Sequence, residues 1–178
     1  MRSKQFLFGV ILSSILSIVF ITSAASSNFF QPKILEVAYD ELTKDAKRQV
    51  DCLAENIYHE AKSEPASGQI AVALVTLNRV NDERFPKDIC GVVKQKTKIH
   101  ERTVCQFSWY CTGVRLNKNS EYYQEALKHA LHVYANYELI DDFTRGSLFY
   151  HADYVNPGWK LLRTVVIGRH IFYKEGRK

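Results

Sequence analysis

The 178-residue chain predicts an α+β domain, mainly helical, with a small antiparallel sheet at its C-terminal end. Three observations carry that prediction. Apolar residues recur at three- and four-residue intervals over residues 48–63 and 121–137, a nearly all-apolar stretch lies between Gly68 and Val80, and the pattern turns β-rich in "SLFYHA" and "RTVVIGRHIFYK". The length suits one core, and one catalytic or binding domain over residues 48–178 is expected.

The elements follow in order. Residues 26–47 are a polar lead containing Pro32, with "ELTKDAKRQV" reading as helix entry. In the first helix Val50, Leu53, Ala54, Ile57, Tyr58 and Ala61 share one face, and Pro65 ends it by disfavouring the α region at Glu64. The second helix, with Ser67 as candidate N-cap, carries Ile70, Ala71, Val72, Ala73, Leu74, Val75 and Leu77 on nearly every side, so it is expected at the centre of the core. "FPKDICGVVKQ" reads as a turn and a short helix, and residues 97–119, rich in Thr, Ser, Asn and aromatics, as a long loop. The third long helix runs through Tyr123, Ala126, Leu127, Ala130, Tyr134 and Tyr137, and Gly168-Arg169 between two apolar runs signals a hairpin.

Residues 1–25 begin with Arg2 and Lys4, continue uncharged from Phe6 to Ile21, and end in Thr22-Ser23-Ala24-Ala25. This is the pattern of a secretory signal cleaved after Ala24 or Ala25. A retained anchor is the alternative, since Phe6 to Ala25 just reaches the roughly 20 residues that span a bilayer, and an endolysin-type segment that anchors first and releases later is a third. All three place the domain in the periplasm or cell envelope. There Cys52, Cys90, Cys105 and Cys111 are expected as disulfides, of which three connectivities are open. At least one bridge is expected to tie the "CQFSWYC" loop to another segment. Without Arg2 and Lys4 the net charge falls from +5 to +3, and the basic residues are scattered. That suits an anionic polymer and gives no nucleic-acid footprint.

Glu60 and Glu64 stand one turn apart at the end of the first helix. An acid ending a helix in solvent is ordinary, which is the reading for Glu64. Glu60 precedes the break at which the most apolar helix must pack alongside. A carboxyl between packed helices loses hydration, stays protonated near neutral pH, and can donate its proton to a leaving oxygen. A buried ion pair with Arg79 or Arg48 is the competing role. Trp109, Tyr110, Tyr150, Tyr154 and Trp159 fall in loops or at strand ends, where their rings suit sugar faces or core packing.

The blocks "CLAENIYHEAKSEPASGQIAVALVTLNRV", "FPKDICGVVKQ", "CQFSWYCTG", "YHADYVNPGW" and "IGRHIFY", in this order, resemble the SleB-like cell-wall hydrolases, the spore cortex-lytic enzymes and their relatives. The family's pattern of Glu, Ala, Arg or Lys, any residue, Glu falls on Glu60, Ala61, Lys62, Ser63 and Glu64. The resemblance implies a lysozyme-like domain related to lytic transglycosylases, with Glu60 as general acid. The implied substrate is the peptidoglycan glycan strand, cut between N-acetylmuramic acid and N-acetylglucosamine by a monomer without cofactor or metal. Lys62 and Ser63 stand where arginine and glycine are usual, and no separate peptidoglycan-binding domain is recognised, so a part in germination is not implied.

Muramidase-type hydrolysis would need a second acid at one of the two glycosidase separations. Glu64 is near enough only by position, and the role expected for it is support: orienting a substrate group or holding the following turn. Gln106, Ser108 and Trp109 are expected to form one wall of the sugar cleft, Tyr150 and His151 another, with Gln106 and Tyr150 within about 10 Å of the Glu60 carboxyl. A zinc amidase is the enzymatic rival, but Ser63 occupies the second histidine position of HExxH, and His129 and His132 read as helix surface. A wall-binding module is the rival without chemistry.

Overall fold

The computed structural model describes residues 34–176. The signal or anchor expected over residues 1–25 lies outside them. Among the described residues no helix is long and apolar enough to cross a membrane.

Helix α1, Lys44–Ala61, begins where Thr43 accepts a hydrogen bond from the Ala46 N–H (3.2 Å). Its Val50, Leu53, Ala54 and Ile57 are fully buried. Helix α2 spans Ala66–Asn81, and Pro65, not Ser67, occupies its N-cap position. The Pro65 carbonyl takes the N–H groups of Gly68 and Gln69 at 2.8 and 3.1 Å. The helix therefore starts two residues earlier than expected, because proline's fixed φ pre-organises the turn.

The two faces of α2 explain its composition. Ala73, Leu74 and Leu77 join the bundle core with α1 and the long helix Glu121–Asn136, while Ala71 and Val75 meet Phe172 of the sheet. A helix caught between a bundle and a sheet has no wet side, so apolar residues occur all round it.

Between these elements lie α3, Ile89–Val93, the strands β1, Lys96–Ile99, and β2, Arg102–Cys105, and α4, Ser108–Thr112. The expected long loop is thus an antiparallel hairpin running into a short helix, with Lys96 opposite Cys105 and Ile99 opposite Arg102. Every residue of both strands but Cys105 is exposed. Strands wet on both faces carry no apolar alternation, which is why the pattern read as loop. The long helix Glu121–Asn136 is α5, capped by Ser120.

Strands β3, Phe149–Ala152, β4, Leu162–Ile167, and β5, His170–Lys174, form one antiparallel sheet in the order β3-β5-β4. The β4–β5 hairpin turns at Gly168-Arg169, as its glycine predicts, with Gly168 at φ 55°.

The bridges are Cys52–Cys90, joining α1 to α3, and Cys105–Cys111. The expected tie from the "CQFSWYC" loop to another segment is therefore wrong. Helix α4 turns back beside the end of β2 and brings Cys111 to a Cα separation of 5.8 Å from Cys105, so the loop closes on itself.

Candidate active site

Glu60 lies in the last turn of α1. One turn earlier Asn56 is fully buried and donates to Thr76 Oγ1 (3.2 Å), which donates to the Val72 carbonyl (3.0 Å), so a polar seam joins α1 to α2. From β3 the Tyr150 hydroxyl donates to Glu60 Oε2 at 3.3 Å. From α2 Arg79 reaches the same place. The segment from β2 into α4 closes the side. Glu60, Arg79, Cys105, Gln106, Phe107, Ser108 and Tyr150 line a cavity of about 220 Å³.

Glu60 is the one carboxylate in that lining, and burial pushes its pKa up. The Tyr150 hydrogen bond and the Arg79 charge pull the other way, but desolvation is the larger effect. Tyr150 is held well above the usual phenol range, first by burial and then by the facing Glu60, so it stays a donor.

The sequence candidates divide. Gln106, Ser108 and Tyr150 share the cavity with Glu60. Gln106 is placed by its backbone N–H on the Gln95 carbonyl (2.9 Å), which leaves its side chain exposed at the mouth. Trp109 is half-buried and stacks on His59 with ring centroids 4.4 Å apart, beside Glu60 on α1 but outside the cavity lining. His151 points to the other sheet face, because side chains alternate along β3. Its Nε2 pairs with the Tyr173 hydroxyl at 3.0 Å, and its ring meets Trp159 at 5.5 Å. Tyr154 and Trp159 are exposed on that outer side or its flanking loop.

Glu64 touches the following turn through its carbonyl, which accepts from Gln69 Nε2 at 3.2 Å, and its side chain makes a second tie that was not expected. Its Oε2 accepts the Arg169 N–H at 2.9 Å, so it ties the end of α1 to the β4–β5 hairpin, far along the chain from the turn that follows it. A Cβ added at Gly168 would stand 1.9 Å from that oxygen. Gly168→Ala is therefore expected to cost about 1–3 kcal/mol, from its positive φ and from displacing the Glu64 carboxylate. Denaturant unfolding should give a smaller cost for the same change in a Glu64→Ala background, where the carboxylate is already gone; equal costs in the two backgrounds would refute the clash.

Arg79 is the site residue that periodicity offered only as an ion-pair partner. Its signal was a lone charge in the apolar run "VTLNRV". Arg48, the other candidate partner of Glu60, is exposed and pairs with Asp45 at 2.7 Å. His129, half-buried on α5, meets Gln69 Oε1 at 3.1 Å and is not simple solvated surface. No group of three or more His, Cys, Asp or Glu side chains poised to hold a metal ion occurs among the described residues. A wider groove of about 580 Å³ lies between the start of α1, the end of α2 and α5, and it is mostly apolar and separate from Glu60.

The description Cell Wall Hydrolase belongs to the family model that matches residues 63–173. The chain belongs to that family. The matched span of this cell wall hydrolase takes in Glu64, Arg79, Gln106 and Tyr150, and Glu60 stands three residues ahead of it. Among curated relatives, the spore cortex-lytic enzyme of Oceanobacillus iheyensis is 28% identical over 131 residues, 72% of this chain and 42% of its own length. That of Halalkalibacterium halodurans is 30% identical over 126 residues, 69% of this chain and 34% of its own. The hydrolase thus spans about two fifths or less of the length of these relatives.

Solved structures resemble it over nearly their full length. The catalytic domain of the Bacillus cereus SleB protein has a TM-score of 0.52 at 26% identity, covering 72% of this chain and 91% of that one. The catalytic domain of the germination-specific lytic transglycosylase SleB from Bacillus anthracis has a TM-score of 0.55 at 25% identity, covering 76% and 98%. The lysozyme-like α+β fold expected from sequence is the fold of this hydrolase.

Proposed function

We propose that this cell wall hydrolase cleaves the β-1,4 bond between N-acetylmuramic acid and N-acetylglucosamine of peptidoglycan as a lytic transglycosylase, with Glu60 as its one acid and base. The observation that carries this reading is the lone, desolvated carboxyl in a cavity otherwise lined by Arg79, Tyr150, Gln106, Ser108, Phe107 and a disulfide. Protonated Glu60 gives its proton to the bridging oxygen as the C1–O bond breaks. The muramic acetamido group supports the oxocarbenium-like centre at C1. The Glu60 carboxylate then takes the proton of the muramic C6 hydroxyl as that oxygen bonds to C1, closing a 1,6-anhydro ring, and no water enters the products.

A hydrolytic muramidase would require a second carboxylate to act on water or on C1. Glu64, the nearest acid by sequence, is engaged with the hairpin N–H at 2.9 Å, which favours the route that needs none. Gln106 and Ser108 at the cavity mouth are proposed to take the sugar's acetamido and hydroxyl groups, and Trp109 to flank them. Export to the periplasm or envelope through residues 1–25 belongs to the same proposal.

Mass spectrometry of muropeptides released from purified walls tests the chemistry. Anhydromuramic ends, lighter than reducing ends by one water, are the expected product. Reducing ends would establish hydrolysis instead, free stem peptides lost on adding chelator would establish a metal amidase, and a protein that binds walls without releasing fragments would be a binding module.

A further inference from the structure

Arg79 is 3% exposed, and its side chain sits inside a ring of aromatics. The guanidinium carbon lies 5.4 Å from the Phe85 ring centroid, 5.3 Å from that of Phe107 and 5.9 Å from that of Phe149. Nε donates to the Leu148 carbonyl at 2.7 Å, which fixes the plane of the group. Nη1 is buried without a hydrogen-bond partner. Among the described residues no acid oxygen comes within 4.0 Å of this cation. A buried charge with an idle N–H is costly and contributes little to stability, since an apolar side chain of similar volume would fill the same space.

The geometry points to Arg79 as a positioning residue that acts through Glu60: its fixed charge stands ready for the carboxylate that Glu60 becomes on giving up its proton. This rests on the reading of Glu60 as the acid. When the proton leaves for the bridging oxygen, the O–H bonding pair stays on Glu60 and leaves one negative charge in a cavity with little water. Arg79 keeps its own proton and charge throughout, and the negative charge disappears when Glu60 takes the C6 hydroxyl proton. Separation matters as much as sign. In direct contact the cation would hold Glu60 ionised before substrate arrived and remove the proton to be donated; beyond 4.0 Å it favours the anion without outweighing desolvation.

Few other groups can do this. On α1, His59 is turned to Trp109 and Glu64 to the hairpin. From β3 comes the Tyr150 hydroxyl, and from β5 His170, edge-on to the Tyr150 ring at 5.3 Å. The segment Cys105–Ser108 brings Gln106 and Ser108, and its cysteine is in a disulfide.

The test follows turnover of soluble, uncross-linked glycan strands against pH for wild type, Arg79→Met, Arg79→Gln, Arg79→Lys and Glu60→Gln. A general acid works while protonated, so the alkaline limb of the profile reports Glu60. Without the cation Glu60 holds its proton to higher pH, and both neutral variants should move that limb up by about one unit, the lower end of the effect of a nearby opposite charge. Their kcat should fall about tenfold for the same displacement, with KM nearly unchanged. Arg79→Lys should keep the limb near its wild-type position. Folded neutral variants with an unmoved limb, a rise in KM alone, or loss of the fold in both neutral variants would overturn the inference and leave Glu60 in place as the acid. Wild-type turnover by Glu60→Gln would instead overturn the reading on which it rests.

Discussion

Glu60→Gln should abolish most wall-lytic activity, with turnover down by about 10² or more, while the protein folds at least as well as the wild type. Glutamine keeps the shape of the side chain and its acceptor for Tyr150, which reaches Glu60 Oε2 at 3.3 Å, and removes the titratable proton. In a transglycosylase the same carboxyl gives and retrieves a proton, so both halves of the reaction are lost together. Turbidity loss of purified peptidoglycan measures it. A mutant clearing walls at the wild-type rate would leave the carboxyl without a chemical role.

The stability half of this expectation has a definite sign. Burial raises the pKa of Glu60 in the folded chain above its unfolded value. Between those two values the folded state holds a proton that the unfolded state has released, so wild-type stability falls as pH rises through that window. Above it, a constant cost of keeping an ionised carboxyl in the cavity remains. Glu60→Gln has no such proton, so it should be more stable than wild type at alkaline pH, and the gain should fade below the unfolded pKa of about 4.3. Thermal unfolding of both proteins from acid to alkaline pH checks this. A mutant less stable than wild type at high pH would mean that Glu60 serves the fold as an ionised partner, most directly of Arg79.

The three long helices and the C-terminal hairpin were legible because each is half wet and half dry, or wholly dry, over a stretch long enough to establish a period. Helix α1 shows its face through Val50, Leu53 and Ile57, and α2 shows its central position by having no polar side. The β1–β2 hairpin lacks that contrast. Its Lys96, Lys98 and Arg102 face water together with Ile99 and Val104, so nothing in the order of residues separates it from loop.

For the site, what could be read was the chemistry of residue types near Glu60, not the direction of each side chain. Tyr150 and His151 are neighbours in sequence and share the same strand, yet alternation sends one toward Glu60 and the other to Tyr173. Only the identity of the buried face decides between them, and the short strand "FYHA" is half-buried on both sides. The long-range tie made by Glu64 was hidden for a similar reason. Its partner, the Arg169 N–H, is 105 residues away, and no local pattern announces a contact made by backbone.

Loss of the Cys52–Cys90 bridge should cost the fold about 4 kcal/mol, against about 2 for Cys105–Cys111, if each bridge acts by restricting the unfolded chain. The difference follows from sequence separations of 38 and 6 residues, since the entropy removed grows with the logarithm of the closed loop. Packing adds to the first, because Cys52 and Cys90 are both in the bundle core, where Gln49 Oε1 also takes the Cys90 N–H at 3.0 Å. Activity should rank the two bridges in the opposite order. The short ring carries Gln106, Phe107 and Ser108, which line the cavity, and Trp109, which stacks beside it. Opening that ring leaves the bundle intact and frees the wall proposed to hold the sugar, and misplacing a positioning group by about 1 Å can reduce rate by about 10². Cys52→Ser/Cys90→Ser should therefore lower the urea midpoint more, and Cys105→Ser/Cys111→Ser should lower turnover more at a temperature where both are folded. Four free thiols in wild-type protein produced in an oxidising compartment, or the same ranking of the two double mutants in both measurements, would refute this division of labour between the bridges.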